Sequence, residues 1–197
     1  MELILIRHFK TEGNLKGRYI GVTDEPLDLS VLPEKTKRYP EAEAVVVSPM
    51  KRCIQTAERI YPGLPYVVCD ELRECDFGEF EGKNCEELSG NPMYQKWIDS
   101  GGTLPFPGGE GQASFRERCV RGFERMLCEM ARQEIGRVAF VVHGGTIMAV
   151  LSAFDKDGQG FYHWQVGNGE GFYLAVSEEK WLRGEGYFEE GKNLWRI

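Results

Sequence analysis

The sequence has no apolar run long enough to cross a membrane. Its hydrophobic stretches are short, whereas a membrane-spanning helix needs about 20 consecutive apolar residues. The charge at Arg7 ends the first stretch too early for a secretory signal. We therefore expect a cytoplasmic protein with no membrane partner.

The chain also lacks an excess of positive charge. It carries 31 acidic and 24 basic side chains, which gives a formal net charge of −7. Nucleic acids and anionic membrane surfaces bind basic faces, so we expect neither as the main partner. A local basic pocket for a small anionic metabolite is compatible with this balance.

Few residues are placed to bind a metal or to form a disulfide framework. The six cysteines include no C-x-x-C pair, and the three histidines lie far apart in the sequence. A chain of 197 residues buries enough apolar surface to fold without disulfide bonds. We expect reduced thiols that mostly fill the core, no metal site and no cofactor.

Nothing in the sequence separates two folding units. There is no internal repeat, no low-complexity tract and no linker. We therefore expect one domain over residues 1–197. The sequence shows no heptad pattern that would indicate an oligomeric state.

Three short apolar runs, at residues 2–6, 44–47 and 137–142, are present instead. Continuous apolar character of this kind is typical of strands that are buried on both faces of a parallel sheet. We predict that these three runs form the centre of such a sheet.

Helical spacing of apolar residues follows the second run and both precedes and follows the third. It covers residues 50–61, with Ser48 as N-cap and Pro49 at the first helical position, then 112–134 and, after a Gly-Gly turn, 146–154. Strand and helix alternate, so the sequence predicts an α/β fold.

The remaining segments predict edge strands and loops. Residues 171–176 and the short aromatic pieces around Trp181, Tyr187 and Trp195 are typical of antiparallel edge strands joined by glycine-rich turns. Residues 84–111 are rich in glycine and proline, so we expect loops there.

Two of the three histidines follow predicted strands directly. Arg7 and His8 come at the end of the first apolar run, and His143 ends the run at 137–142. Ligands of open α/β sheets bind just beyond the carboxyl ends of the strands. The two imidazoles are therefore expected to face one shared site.

Other residues near these positions favour an anionic ligand. Arg52 lies in the first helical turn, where a cation opposes the helix dipole and therefore suggests another task. The turn at residues 144–146 offers free backbone N–H groups at a helix start. Guanidinium groups bind phosphate through several donors at once, so the pattern predicts a phosphoryl site.

Four blocks of sequence carry a resemblance to a known family. Residues 5–14 resemble the R-H-G-x-T-x-x-N signature of the histidine phosphatase superfamily, and residues 48–57, 72–82 and 142–147 resemble its other blocks in the same order. The resemblance covers the chain from residue 2 to about 150. It implies the three-layer phosphoglycerate mutase-like fold, a mostly parallel central sheet with helices on both faces.

The resemblance also implies roles for individual residues. His8 would attack phosphorus and form a phosphohistidine that water hydrolyses, and Glu74 would serve as the acid and base. The phosphoryl oxygens would be held by Arg7, Asn14, Arg52 and His143. Thr11 would orient the first loop, and further substrate contacts are expected from Ile20, Gly21 and Gly144.

Two positions leave alternatives open. Glu74 lies among other acidic residues, of which Asp76 is the runner-up for the acid. The family usually has glycine directly after the nucleophile, where this chain has Phe9. Either the backbone there is ordinary, or Phe9 shapes the leaving-group pocket. His163 belongs to no block, and we expect a surface or structural role for it.

The fold hosts phosphatases, mutases and non-catalytic proteins that bind phosphorylated metabolites. Mutases of the family carry further arginines after the acid block, which is residues 72–82 here, whereas residues 83–110 contain only Lys83 and Lys96 as cations. We therefore expect metal-independent hydrolysis of a phosphomonoester. Residues 17–27, the acid block and the short length resemble the α-ribazole phosphatases of cobalamin biosynthesis, although broad-specificity phosphatases share much of this pattern.

Overall fold

A computed structural model describes residues 1–33, 39–189 and 194–195 of the chain. Within these ranges, seven strands, β1 to β7 in chain order, span Glu2–Arg7, Ala44–Val47, Tyr66–Val68, Arg137–Val142, Gly171–Val176, Phe188–Glu189 and Leu194–Trp195. The same ranges contain six α-helices, α1 to α6, which span Glu12–Leu15, Lys51–Ile60, Pro92–Asp99, Gln112–Arg132, Gly144–Phe154 and Glu178–Leu182.

The strands form one mixed sheet in the order β3-β2-β4-β1-β5-β6, and β7 pairs with β5. The first four strands of this order are parallel to their neighbours. Strand β5 runs antiparallel to β1, and β6 and β7 run antiparallel to β5. The predicted central strands and the mostly parallel sheet are confirmed.

Helices cover both faces of the sheet because alternate residues of its buried strands point to opposite sides. On one face, Leu3, Leu5 and Phe140 pack in a core with residues of α4, α5 and α6. On the other face, Ile4 and Ile6 pack in a core with residues of α2. The three-layer α/β architecture is therefore confirmed.

Helix α2 begins later than the sequence pattern predicts. Its N-cap is Met50, which has no side-chain capping bond, so the prediction that Ser48 caps the helix with Pro49 at its first position is wrong. The Ser48 hydroxyl lies 2.7 Å from His143 Nε2 instead. The contact with His143 replaces the helix-capping interaction that the local sequence favours.

The segment predicted as loops contains a helix. Asn91 caps α3 by accepting hydrogen bonds from two backbone N–H groups, and Pro92 holds its first position. Tyr94 and Trp97 stack on one face of α3, and both rings contact Phe80. This aromatic packing favours the helix despite the glycines and prolines nearby. Strand β3 was also not predicted.

The C-terminal prediction is correct in part. Trp181 lies in α6, so the prediction of a strand there is wrong. Ser177 accepts a hydrogen bond from the backbone N–H of Lys180 and begins the helix, a cap that the strand interpretation overlooked. The predicted strands near Tyr187 and at Trp195 are confirmed as β6 and β7.

Two kinds of feature are not found in the described part of the chain. None of its helices has the length and apolar character of a membrane span. Within the same ranges, no three potential metal-ligating side chains form a cluster. All six cysteines are free thiols, and four of them are buried: Cys53, Cys69, Cys75 and Cys119.

The core that packs against α4, α5 and α6 predicts a large difference in stability between a buried and an exposed truncation. Phe123 is 1% exposed and contacts the rings of Phe140 and Trp181, whereas Leu29 is 78% exposed. Phe123→Ala should lower the free energy of unfolding by about 3–5 kcal/mol. Leu29→Ala should change it by about 0.5 kcal/mol or less. Urea denaturation measures both, and equal losses would contradict this assignment of the core.

Candidate active site

The carboxyl ends of β1 and β4 bring the two histidines together. Arg7 ends β1, His8 follows it, and the His8 backbone N–H donates to the carbonyl of Val142 at the end of β4 (2.9 Å). The His8 and His143 ring centroids lie 5.2 Å apart, edge to face. The structure thus places both imidazoles at one site, as the strand pattern predicts.

His8 is held in one orientation by its neighbour. Its Nδ1 lies 2.6 Å from the Phe9 carbonyl oxygen, which can only accept, so Nδ1 carries the hydrogen. Burial lowers the pKa of His8 well below 6.5, and the charges of Arg52 and Arg7 lower it further. The neutral ring therefore has its lone pair on Nε2.

His143 is fully buried behind His8. Its Nε2 lies 2.7 Å from Ser48 Oγ, and Cys53 Sγ lies 3.5 Å from the same nitrogen. Burial lowers the pKa of His143 well below 6.5, and the charge of Arg52 adds to this effect. Both histidines of the site are therefore neutral near pH 7.

Arg7 lies against the start of α5. Its Nη1 donates to the Val166 carbonyl at 2.7 Å. A Cβ at Gly144 would lie 3.3 Å from the Arg7 guanidinium carbon, so glycine gives the arginine room at the helix terminus. The buried Nε of Arg7 has no hydrogen-bond partner among the described residues.

Arg52 is fully buried and held by backbone carbonyls. Its Nη1 donates to Thr23 (2.8 Å), and its Nη2 donates to Gly21 (2.8 Å) and to Ile20 (3.4 Å). In the part of the chain that the structure covers, its Nε has no partner. Neither Arg52 nor Gly21 lines the His8 pocket described below, whereas Ile20 does.

Glu74 lies opposite the start of α5 with both oxygens held. Oε1 accepts from the Cys75 N–H (3.0 Å) and Oε2 from the Gly145 N–H (3.2 Å). A Cβ at Gly145 would lie closer to Glu74 Oε1 than real Cβ contacts, so a side chain there would displace the Glu74 carboxyl group. Burial raises the pKa of Glu74, although the two N–H groups and Arg52 act in the opposite direction.

Arg118 fixes the acid block from α4. It forms two hydrogen bonds with the Glu110 carboxylate (3.0 and 2.7 Å) and donates to the carbonyls of Glu71 (2.7 Å) and Glu74 (3.4 Å). Asp76 accepts from the Gly78 N–H at 2.9 Å and faces a neighbouring pocket of 380 Å³. Of the two acid candidates, only Glu74 shares a pocket with His8.

Thr11 and Asn14 stabilise the loop that follows His8. Thr11 is buried at the N-cap of α1, where its hydroxyl accepts from the Asn14 N–H (3.3 Å). The Asn14 Oδ1 accepts in return from the Thr11 N–H (3.2 Å). Asn14 reaches the pocket, and Thr11 acts on it through this reciprocal cap.

These elements enclose a pocket of 270 Å³, the main pocket, with His8, Arg7, Asn14 and Glu74 in its wall. Its other walls are largely aromatic: Tyr19, Phe77, Trp97, Phe106, Phe115, Phe161 and Tyr162. Arg18 is the second cation among its described lining residues, and the Glu87 carboxylate pairs with it at 2.8 Å.

Phe9 has an ordinary backbone conformation. Among the described residues, Glu134 is the single non-glycine residue with positive φ. The Phe9 ring is buried, packs edge-on against Tyr39 at 6.2 Å and does not line the main pocket. Of the two alternatives for this departure, the structure therefore supports an ordinary backbone. His163 is exposed, as expected.

Sequence patterns did not reveal four residues that support the site. These are Ser48, Thr56, Arg118 and Asn168. Ser48 fits a helix cap equally well, and Thr56, which accepts from the Phe9 N–H at 3.0 Å, occupies an ordinary helical position. Their partners lie far away in the sequence, so local spacing carries no signal of these contacts.

Comparison with known proteins identifies the family. The model of the histidine phosphatase superfamily (branch 1) matches residues 3–183. The chain belongs to this superfamily, and its relatives place it among the phosphatase enzymes.

Two relatives and one solved structure illustrate the similarity. Phosphoserine phosphatase 1 of Hydrogenobacter thermophilus is 31% identical over 133 residues, 62% of each chain. Adenosylcobalamin/alpha-ribazole phosphatase of Salmonella typhimurium is 26% identical over 179 residues, 86% of this chain and 87% of the relative. The crystal structure of the alpha-ribazole phosphatase from Shigella flexneri superposes with a TM-score of 0.76 at 21% identity, covering 99% and 98% of the two chains. The fold is the phosphoglycerate mutase-like one.

The buried neutral histidines predict acid sensitivity of the fold. An unfolded imidazole binds a proton near pH 6.5, whereas His8 and His143 have lowered pKa values in the folded state. Stability should therefore fall as the pH falls below 6.5. From about pH 7.5 to about pH 5.5, each histidine should contribute a loss on the order of 1 kcal/mol.

Unfolding free energies at the two pH values, measured for matched variants, check this expectation. Burial raises the pKa of Glu74, which opposes the effect, so differences between variants are the informative quantity. His8→Gln and His143→Gln should each lose less stability on acidification than the unmodified protein. The control His163→Gln replaces an exposed imidazole and should leave the acid-dependent loss unchanged. A loss of equal size in all four proteins would refute the assignment.

Proposed function

We propose that the protein is a metal-independent phosphomonoesterase that works through a phosphohistidine at His8. One observation carries this proposal: a neutral imidazole with its lone pair on Nε2 shares one pocket with a carboxyl group of raised pKa and a partly unpartnered guanidinium. Those are a nucleophile, an acid and an anion receptor. We also propose that residues 1–197 form one domain.

The first step transfers the phosphoryl group to the enzyme. His8 Nε2 forms a bond to phosphorus, and the bond from phosphorus to the leaving oxygen breaks. Protonated Glu74 donates its proton to that oxygen, so the leaving group departs as a neutral alcohol. The bond from Nδ1–H to the Phe9 carbonyl supports the positive charge that His8 gains.

The second step returns the enzyme to its starting state. The Glu74 carboxylate takes a proton from water as the water oxygen attacks phosphorus. The bond between phosphorus and Nε2 breaks, inorganic phosphate leaves, and His8 is neutral again. Glu74 is protonated once more, so both groups complete a cycle.

The charge that develops on the phosphoryl oxygens needs donors around it. The buried Nε groups of Arg7 and Arg52 have no partner among the described residues, and unpaired buried donors are uncommon in folded proteins. We assign them to the phosphoryl group together with Asn14, His143 and the first N–H groups of α5 at Gly144.

For the substrate we propose a small phosphorylated metabolite, in first place α-ribazole 5'-phosphate. The aromatic walls of the main pocket suit an uncharged planar leaving group. A relative named for this substrate aligns over 86% of the chain. A mutase would need a second receptor for negative charge, whereas Arg18 is paired with Glu87, so mutase activity ranks below hydrolysis. Hydrolysis of several small phosphomonoesters is the nearest alternative.

The mechanism predicts a covalent intermediate that chelators do not prevent. Rapid quenching with a phosphomonoester should trap phosphate on His8 in the presence of EDTA. His8→Gln should trap none and lose hydrolysis at least about a thousandfold because the nucleophile is gone. Mass spectrometry of the quenched protein locates the phosphate. Full activity of His8→Gln, with His163→Gln as control, would exclude the proposal.

Matched amide substitutions of Glu74 and Asp76 test which of the two residues is the general acid. Glu74→Gln should lower kcat by about 10²–10⁴-fold, since it cannot donate or accept the required proton. Asp76→Asn keeps an oxygen for the Gly78 N–H and should retain most activity. Steady-state rates with an alkyl phosphate, a poor leaving group, reveal the difference. The reverse order would assign the acid to Asp76.

A substrate panel tests the finer assignment. Initial rates should be compared for α-ribazole 5'-phosphate, nucleotides, sugar phosphates, phosphoserine and phosphoglycerates. We expect kcat/KM for α-ribazole 5'-phosphate to exceed that of each other substrate by at least about a hundredfold. This ratio corresponds to a difference of roughly 2.7 kcal/mol in transition-state binding. Similar kcat/KM values across the panel would favour the broad-specificity phosphatase. Interconversion of phosphoglycerates that is faster than hydrolysis would replace both phosphatase assignments with a mutase.

A further inference from the structure

The turn that precedes β5 wraps around the backbone of the proposed nucleophile. It comprises residues 167–170, here called the 167–170 turn. Its Gly169 N–H donates to the Arg7 carbonyl, and the Arg7 N–H donates to the Glu170 carbonyl, both at 2.9 Å. These two bonds tie the turn to the end of β1 just before His8.

Asn168 extends this attachment to His8 itself. Its side-chain Nδ2 donates to the His8 carbonyl at 3.0 Å and to Asn14 Oδ1 at 3.3 Å. One amide group therefore joins the backbone of the proposed nucleophile to a side chain of the main pocket wall. Asn168 itself does not line that pocket.

The Phe9 ring packs against the other side of the turn. A Cβ placed on Gly169 would lie 2.9 Å from Phe9 Cδ1, closer than real Cβ contacts, and 3.0 Å from Cε1. Gly169 also has φ +76°, a conformation that glycine adopts without strain. The Tyr39 hydroxyl donates to the Gly169 carbonyl at 3.0 Å, and the Tyr39 ring contacts Phe9, so Tyr39 links Phe9 to the turn.

Phe9 is joined to the site through its backbone as well. Its carbonyl accepts from His8 Nδ1 at 2.6 Å, and its N–H donates to Thr56 Oγ1 at 3.0 Å. Thr56 Oγ1 donates in turn to the Arg52 carbonyl at 2.6 Å. The Phe9 ring therefore anchors the backbone of its own residue. The carbonyl of that residue determines which nitrogen of His8 carries the hydrogen.

We propose that Phe9, Gly169 and Asn168 are positioning residues for His8. The Phe9 ring, packed into the space that Gly169 leaves, holds the 167–170 turn so that Asn168 fixes the His8 backbone, while the Phe9 carbonyl directs Nε2 toward the main pocket. This inference rests on the proposed function of His8. It explains why a benzyl group is accommodated where the family usually has glycine: the facing residue of the turn is glycine instead.

Two measurements test the proposal. Single-turnover rates report phosphoryl transfer to His8, and the ring ¹⁵N chemical shifts of His8 report which nitrogen carries the hydrogen without any substrate. Phe9→Ala and Asn168→Asp should slow phosphoryl transfer by about tenfold to a hundredfold, since small misplacements of a reacting group have such effects. They should also shift the His8 ring signals. Phe9→Leu, which refills part of the space, should recover part of the rate.

A matched truncation separates positioning from stability. Phe188 is buried on β6 among the rings of Phe123, Phe154 and Trp181, in the core of the opposite face from α2. Phe188→Ala should lower the free energy of unfolding but leave the single-turnover rate within about twofold of the unmodified protein. All variants are compared at a temperature where circular dichroism shows them folded.

A double substitution tests the contact between the ring and the turn. Gly169→Ala alone should slow phosphoryl transfer, whereas the same change in the Phe9→Ala background should have a smaller effect because the colliding ring is absent. Fully additive effects, a normal rate in folded Phe9→Ala, or equal slowing by Phe188→Ala would each overturn the proposal. If the unmodified protein forms no phosphohistidine, the proposed function fails, and the His8 ¹⁵N shifts still decide the positioning role.

Discussion

Two positive charges at the carboxyl edge of the parallel sheet, the buried Arg52 and the partly buried Arg7, set the conditions for the rest of the site. Arg52 is enclosed completely, and backbone carbonyls of the loop before it surround its guanidinium. Because no carboxylate pairs with Arg52 within the described residues, its field reaches both imidazoles. The lowered pKa values of His8 and His143 follow from burial and from this field. A receptor built from such uncompensated charge favours a strongly anionic ligand.

The sequence patterns predict the central strands of the sheet but miss strand β3 and helix α3, and the reason lies in how each element is buried. Strands β1, β2 and β4 are buried on both faces, so their apolar character is continuous and unambiguous. Strand β3 is three residues long and exposed, which leaves little pattern to detect. Helix α3 depends on the contacts of Tyr94 and Trp97 with the distant Phe80, which no local window contains.

In the site, too, residues that a local pattern marks are predictable, whereas residues that depend on distant contacts are not. His8 and His143 are predictable because each directly follows a buried strand, and strand ends meet at one edge of the sheet. Arg118 and Asn168 are ordinary polar residues in the sequence, and their importance comes from carbonyl groups 44 and 160 positions away. The resemblance to a family supplied Glu74, which composition alone does not distinguish from the acidic residues around it.

The two glycines that begin α5 have a further consequence. Arg7 rests on Gly144 and Glu74 rests on Gly145, each in a place that a side chain would occupy. Neighbouring α-carbons are separated by about 3.8 Å, so a single peptide unit of a rigid helix sets the spacing between a cation and an acid. The spacing between Arg7 and Glu74 therefore depends on helix α5 and not on the loops that line the rest of the pocket. In the proposed mechanism, the distance needed for proton transfer would be set separately from the side chains that select the leaving group.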